Sequence, residues 1–349
     1  MTHTGNDEAR GDDHIDAPRF VEPVADAAPV ANSAPVADAG PAARSFEVEA
    51  ARISAQVRRI NREVNERSGR NLGSAIGMAV LLGGLLLLSL LIDKRWFVLF
   101  ATALVVVLVV ELATAMRSSG RHVPRVPSAI VAAVVVPVAF YFGPAWQWAA
   151  LLAGLAVVVL WRLLEGLVPN SGMTGQSLAL DASSSAFVQF YGTFLGSFTA
   201  MLAAQPLGEY WVISFIIVVI CIDTGAYVFG MRYGRTKLAP RISPGKTWEG
   251  IIGGGFTAVV GAVLVCVFIL ELPWWFGVIM GVAITITSVA GDLTESMVKR
   301  DLKIKDMSNW LPGHGGFYDR VDSMLPSGAM AFALYFWSTP LQHLAERLG

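Results

Sequence analysis

An all-α polytopic membrane protein is the fold class predicted for this 349-residue chain, and three observations predict it. Apolar residues make up 54% of the chain and charged residues only 15%, against about 25% charged in an ordinary soluble domain. The apolar residues gather in about nine stretches, each near the roughly 20 residues a helix needs to cross a bilayer. Runs such as Met78–Ile92 and Leu104–Leu112 lack the period-two alternation of a transmembrane barrel. A single water-soluble globule is all but excluded.

In chain order, residues 1–45 come first. They repeat Ala, Pro, Val and Asp, and the first fifty residues carry ten acids against three bases. Such a segment buries too little surface to fold, so a disordered acidic Pro/Ala-rich tail is expected. The first thirty residues hold no apolar h-region, and no cleavable signal peptide is expected. Over 46–72 the pattern changes: Ile53, Val57, Ile60 and Val64 recur at helical spacing, and six arginines fall between 51 and 70. A basic amphipathic juxtamembrane helix follows, which either lies on an anionic leaflet or packs on the first span.

Spans are predicted at 74–92, 96–116, 127–142, 146–165, 185–203, 211–230, 251–270, 274–291 and 326–343, the first five forming an N-terminal membrane region over 73–205. Lys and Arg in short loops set orientation. They collect before the first span (Arg58, Arg59, Arg62, Arg67, Arg70) and after the second (Arg117, Arg121, Arg125). More follow the sixth (Arg232, Arg235, Lys237, Arg241, Lys246) and the eighth (Lys299, Arg300, Lys303, Lys305, Arg320). The other side receives Lys94, Arg95 and Arg347. The N-terminus is therefore predicted to be cytoplasmic. Cys221 and Cys266 fall inside spans, where thiols are usually buried and inert.

Ionisable residues in or at the rim of spans are functional candidates by default. Asp223, followed by Thr224-Gly225-Ala226-Tyr227, lies inside the sixth span; a metal, a cation or a helix–helix hydrogen bond with Thr224 would account for it. Ser243-Pro244-Gly245-Lys246-Thr247 precedes the seventh span. Ser-Pro-Gly predicts a turn that presents Lys246 and Thr247 at a helix N-terminus suited to phosphate. After the eighth span, Asp292, Ser296 and Lys299 share one helix face at i, i+4 and i+7. Then comes Pro312-Gly313-His314-Gly315-Gly316-Phe317-Tyr318-Asp319-Arg320-Val321-Asp322, in which paired glycines let backbone approach an anion. Asp319 and Asp322 would project together if that segment is helical. Carboxylates interleaved with cations suit a Mg²⁺–polyphosphate site.

At these residues the chain resembles the phosphatidate cytidylyltransferases (CDP-diacylglycerol synthases). The carriers are Ser296, Val298, Lys299, Arg300, Lys305, Asp306, Ser308, Leu311, Pro312, His314, Gly315, Gly316, Phe317, Asp319, Arg320, Val321 and Asp322, in register with that family's signature. Asp223 to Tyr227 and Ser243, Pro244, Lys246, Thr247, Glu249 and Gly250 resemble its companion motifs, so the likeness covers about 220–328. Gly245 departs from it, standing where many members carry a second lysine. The resemblance makes 206–349 the catalytic membrane region. It implies Mg²⁺-dependent transfer of the cytidylyl group of CTP to phosphatidic acid, giving CDP-diacylglycerol and pyrophosphate. The expected setting is a bacterial plasma membrane with the site facing the cytoplasm.

On that reading Asp292 and Asp319 are metal ligands, with Asp322 and Asp223 as further ligands or supports. Lys246, Lys299, Arg300 and Arg320 hold phosphates, helped by Ser243, Thr247, Gly315 and Gly316. Ser296 hydrogen-bonds a phosphate or a metal-bound water, and His314 shapes the Gly-Gly loop. The resemblance implies a homodimer, leaves a second cation open, and gives no reason to expect a nucleic-acid partner. The competing readings are a CTP-dependent polyprenol or phytol kinase, a CDP-alcohol phosphotransferase and a secondary transporter. The complete signature, the missing Asp-rich run and the absence of a visible internal repeat argue against them in turn.

Overall fold

The structure, a computed structural model, describes residues 72–167, 174–308, 310 and 315–348, all within the unit Arg59–Gly349. The expected tail over 1–45 and nearly all of the amphipathic segment over 46–72 lie outside the described residues, as does His314.

The chain runs α1 (Leu72–Ile92), α2 (Lys94–Ser118), α3 (Arg125–Phe142), α4 (Pro144–Gly166) and α5 (Gly175–Phe187). A π-helical turn, Val188–Phe194, continues into α6 (Leu195–Ala204), followed by α7 (Gly208–Tyr233) and a hairpin of β1 (Lys237–Ala239) and β2 (Ser243–Thr247). Then come α8 (Trp248–Phe268), α9 (Trp274–Leu302), the short α10 (Tyr318–Val321) and α11 (Met324–Leu348). Among the described residues seven helical segments are long and apolar enough to cross a membrane, with α5, the π turn and α6 counted as one. The helices α1 and α11 fall on the first and last predicted spans. The molecule is a multi-pass integral membrane protein.

Local chemistry sets several boundaries. Asp93 caps α2 by accepting from the Arg95 N–H at 2.8 Å. Pro144 opens α4 just after Gly143, whose φ of 80° only glycine adopts freely. Thr174 and Ser177 form a capping box at the start of α5. That helix begins ten residues before the fifth predicted span, because a stretch with Asp181 and three serines reads as too polar for a membrane segment. The structure buries Asp181 against Arg162 at 2.8 Å and the His122 N–H at 2.7 Å, which satisfies its charge.

The core is built on α2, whose Val105, Leu108, Val109, Leu112 and Met116 are buried at helical spacing. Trp211 and Phe276 pack edge to face beneath α7 and α9. Glycines bring α7, α8 and α9 into near backbone contact: a Cβ on Gly254 would stand 2.8 Å from the Ile222 carbonyl oxygen, and one on Gly281 2.6 Å from the Val259 Cα.

Two sets of contacts define the ends of the bundle. At one end Lys94 pairs with Glu209 at 2.8 Å and donates to the Gln205 carbonyl, joining the start of α2 to the α6–α7 connection. At the other, the Ser119 hydroxyl donates to the Leu302 carbonyl at 3.1 Å and Arg121 pairs with Asp301, joining the ends of α2 and α9. The second end carries the loops rich in Lys and Arg and every motif residue described below.

Candidate active site

Between α7, β2, α8 and α9 lies an open cleft of about 430 Å³ whose walls include Asp223, Tyr227, Gly245, Lys246, Thr247 and Asp292. The hairpin positions its cation. Lys237 sits opposite Thr247 and Ala239 opposite Ser243. The turn occupies 240–242, closed by the Ile242 N–H on the Ala239 carbonyl at 3.1 Å. Ser-Pro-Gly is thus strand, not the turn its composition predicts: the bend is made just before it, at 240–242, and pairing with β1 holds Ser243 extended.

Glu249, in the first turn of α8, accepts from the Arg235 and Thr236 N–H groups at 3.1 Å and so fastens the entry to the hairpin. Arg300 donates from Nε to the Ile242 carbonyl at 3.2 Å and ties the hairpin's turn to α9. Thr247 is buried and caps α8, accepting from the Gly250 N–H at 3.2 Å. Within this frame Lys246 reaches across the cleft to form an ion pair with Asp292.

Behind Asp292, on the inner side of α9, a second group of acids converges. Lys299 pairs with Glu295 at 2.7 Å and with Asp319 of α10 at 3.5 Å. Burial pushes the Asp322 carboxyl well above the usual carboxylate range, and the charges of Asp292 and Glu295 push it further. Burial also works to raise Asp319, but its contact with Glu295, the Gly316 N–H, the Lys299 charge and the Met307 N–H outweigh it. Asp319 is held below its ordinary value. Two neighbouring carboxyls are thereby shifted in opposite directions.

The glycine pair acts on the protein's own acids. Gly315, at φ 80°, leaves room for Asp319, whose Oδ2 would lie 2.8 Å from a Cβ there. The Gly316 N–H donates to the same oxygen at 2.9 Å. A Cβ on Gly316 would stand 1.9 Å from Oε1 of Glu111, a fully buried residue of α2. The close approach expected from Gly-Gly is therefore made to the protein's own carboxyl groups, those of Asp319 and Glu111. Ser296 is half-buried on the Asp292 and Lys299 face of α9, and Arg320 is exposed on α10. Ser243 lies in β2, paired with Ala239.

Comparison with known proteins places this arrangement. A model described as the cytidylyltransferase family matches residues 74–338. The chain belongs to that family. It is 32% identical over 276 residues to a phosphatidate cytidylyltransferase of Mycobacterium leprae, covering 77% of this chain and 88% of that one. Against the Mycobacterium bovis phosphatidate cytidylyltransferase the figures are 33% over 275 residues, 76% and 89%. A Haemophilus influenzae phosphatidate cytidylyltransferase is 43% identical over 135 residues, 37% of this chain and 46% of its own.

Two acids of this candidate site escape a motif reading. Glu295 sits inside the motif segment but only its contacts with Lys299, Asp319 and Asp322 mark it. Glu111 lies far from every motif. It was nonetheless discoverable as the one acid in the second predicted span, the kind of residue that membrane burial makes suspect.

Proposed function

We propose that the protein transfers the cytidylyl group of CTP to phosphatidic acid, forming CDP-diacylglycerol and pyrophosphate, in a bacterial plasma membrane with its cleft facing the cytoplasm. The observation that carries this reading is the cleft where Lys246 meets Asp292. It places an ammonium and a carboxylate at the end of the bundle rich in Lys and Arg, where a lipid phosphate and a cytosolic nucleotide can both arrive. The curated relatives carry the name of this activity.

Phosphatidic acid is a phosphate monoester with a second pKa near 6, largely a dianion at neutral pH, so its attack needs little general-base help. An oxygen of that phosphate bonds to the α-phosphorus of CTP as the bond to the β-bridging oxygen breaks, and pyrophosphate leaves. The protein's task is to hold two anions in line and balance their charge. Lys246 holds a phosphate oxygen from the cleft wall, while Arg300 and Glu249 keep the hairpin that carries it in place. Lys299 is engaged by Glu295 and Asp319, so Asp292 stands as the front carboxylate.

Among the described residues no three acidic, His or Cys side chains are grouped to hold an ion by themselves. Mg²⁺ does not require that: one or two carboxylates with substrate phosphates and water suffice. The residues fit such an ion. Asp223 and Asp292 both line the cleft, and a divalent cation there would offset the negative charges of Asp292 and Glu295 that, after burial, push the Asp322 carboxyl upward. Asp292 and Asp223 would hold Mg²⁺, with Asp319 and Asp322 behind them. The ion would supply neutralisation of the polyphosphate charge.

The test is to incubate the purified full-length protein with phosphatidic acid, Mg²⁺ and CTP labelled at either the α- or the γ-phosphate. Label from the α position alone should enter lipid. γ-Label in lipid would point to a CTP-dependent kinase, and no turnover would sink the reading.

A further inference from the structure

We infer that Glu111 is a positioning residue for the transfer reaction, acting from the second membrane helix on the start of α10, which carries Asp319. The inference rests on the activity proposed above and adds to it a residue outside the signature.

Four observations carry it. Glu111 has no exposed surface. Its Oε2 accepts from the Tyr318 backbone N–H at 2.8 Å, at the first residue of α10. Its Oε1 accepts from the Ser308 hydroxyl. Gly316 lies so close that any side chain there would collide with Oε1. One carboxyl group therefore holds both Ser308 and the start of α10 at Tyr318. Beside Tyr318, Gly316 donates to Asp319, and Asp319 meets Lys299.

The geometry of the clasp uses both oxygens of the Glu111 carboxyl group as acceptors. Both partners are donors, and a carboxylate is the side chain that only accepts, with two oxygens to receive one bond each. An acid enclosed in a membrane helix is costly unless its bonds are made, so the loop and the helix end order one another. A hydrophobic residue at 111 would leave the Tyr318 N–H without this acceptor and the start of α10 without this tether.

The experiment uses full-length protein in detergent and compares Glu111→Gln, Glu111→Asp, Ser308→Ala and the double variant Glu111→Gln/Ser308→Ala. Amide hydrogen exchange reads the clasp directly. Exchange at Tyr318 and through the loop should quicken in Glu111→Gln by about tenfold or more while the spans stay protected. In steady-state assays kcat should fall about tenfold or more, with KM for CTP changed by less than about threefold. Glu111→Asp, which keeps both acceptors on a shorter stem, should recover part of the loss. The double variant should lose little more than Glu111→Gln alone, since both changes open one clasp.

Unchanged exchange at Tyr318 in a folded Glu111→Gln protein overturns the inference, as does a loosened loop with kcat within twofold of the parent. If Glu111→Gln fails to fold, Ser308→Ala decides: normal exchange and normal kcat overturn it. A parent enzyme that moves no α-label into lipid defeats the activity reading instead, and the exchange data then show whether the clasp itself exists.

Discussion

The two flanks of α9 solve opposite problems with the same residue types. On the outer flank Asp292 faces an open cleft, where its partner Lys246 comes from a two-stranded hairpin and both side chains remain partly accessible. On the inner flank Asp319, Glu295 and Glu111 are buried, and their partners are backbone N–H groups, a serine hydroxyl and one lysine. An ion pair at a wet cleft can be remade around a substrate phosphate, because water and counter-ions share the charge when it opens. A buried carboxylate with its bonds made cannot be reassigned without leaving a charge unpaired. The outer flank is built to change partners and the inner flank to keep them.

The largest effect that would test this contrast is on the outer flank. Asp292→Asn removes the front carboxylate while keeping its size, and kcat should fall by about 10³-fold or more; a loss below about tenfold in folded protein would remove Asp292 from the site. Glu249→Gln weakens the anchor of the hairpin without touching substrate. It should reduce kcat/KM by about tenfold through Lys246, and unchanged kinetics would show that Arg300 alone holds the hairpin.

The inner flank makes a prediction about stability. The folded pKa of Asp322 is raised, so its stabilising contribution is complete below the ordinary carboxylate value of about 4 and is lost as pH rises from there through neutrality. In metal-chelated protein, Asp322→Asn should therefore melt about 2–4 °C higher than the parent at pH 9, with the difference vanishing near pH 4. Its activity should fall even as its stability rises. A variant that melts lower at alkaline pH would contradict the burial argument.

The smallest effect returns to the cleft. A Cβ on Gly245 meets nothing within 4 Å and its φ is not positive, so Gly245→Lys fits without strain. The added cation should lower KM for CTP by about two- to fivefold, with the gain lost at high salt. An unchanged KM would mean that Lys246 already supplies the cationic grip on this wall.

Much of this was legible in one dimension. Runs of apolar residues predict nine spans; seven helical segments among the described residues are long and apolar enough to cross, and α1 and α11 fall on the first and last predicted spans. Asp292, Lys246, Asp319 and Asp322 stand out because charges are rare in this chain. The start of α5 was hidden because Asp181 looks polar until Arg162 and the His122 N–H are brought to it. Ser243-Pro244-Gly245 looks like a turn until β1 pairs with it.

What the sequence by itself determined is membership of the membrane, the order of the spans and the identity of the family, since each depends on composition or on residues close in the chain. Which carboxylate meets which donor was decided only by the tertiary structure. Lys246 and Asp292 are 46 residues apart, and Glu111 and Tyr318 are 207 apart. Hydrogen bonds and ion pairs act over a few ångströms, so no local pattern records a partner that distant; the close packing of α2, α7, α8 and α9 brings those partners within reach.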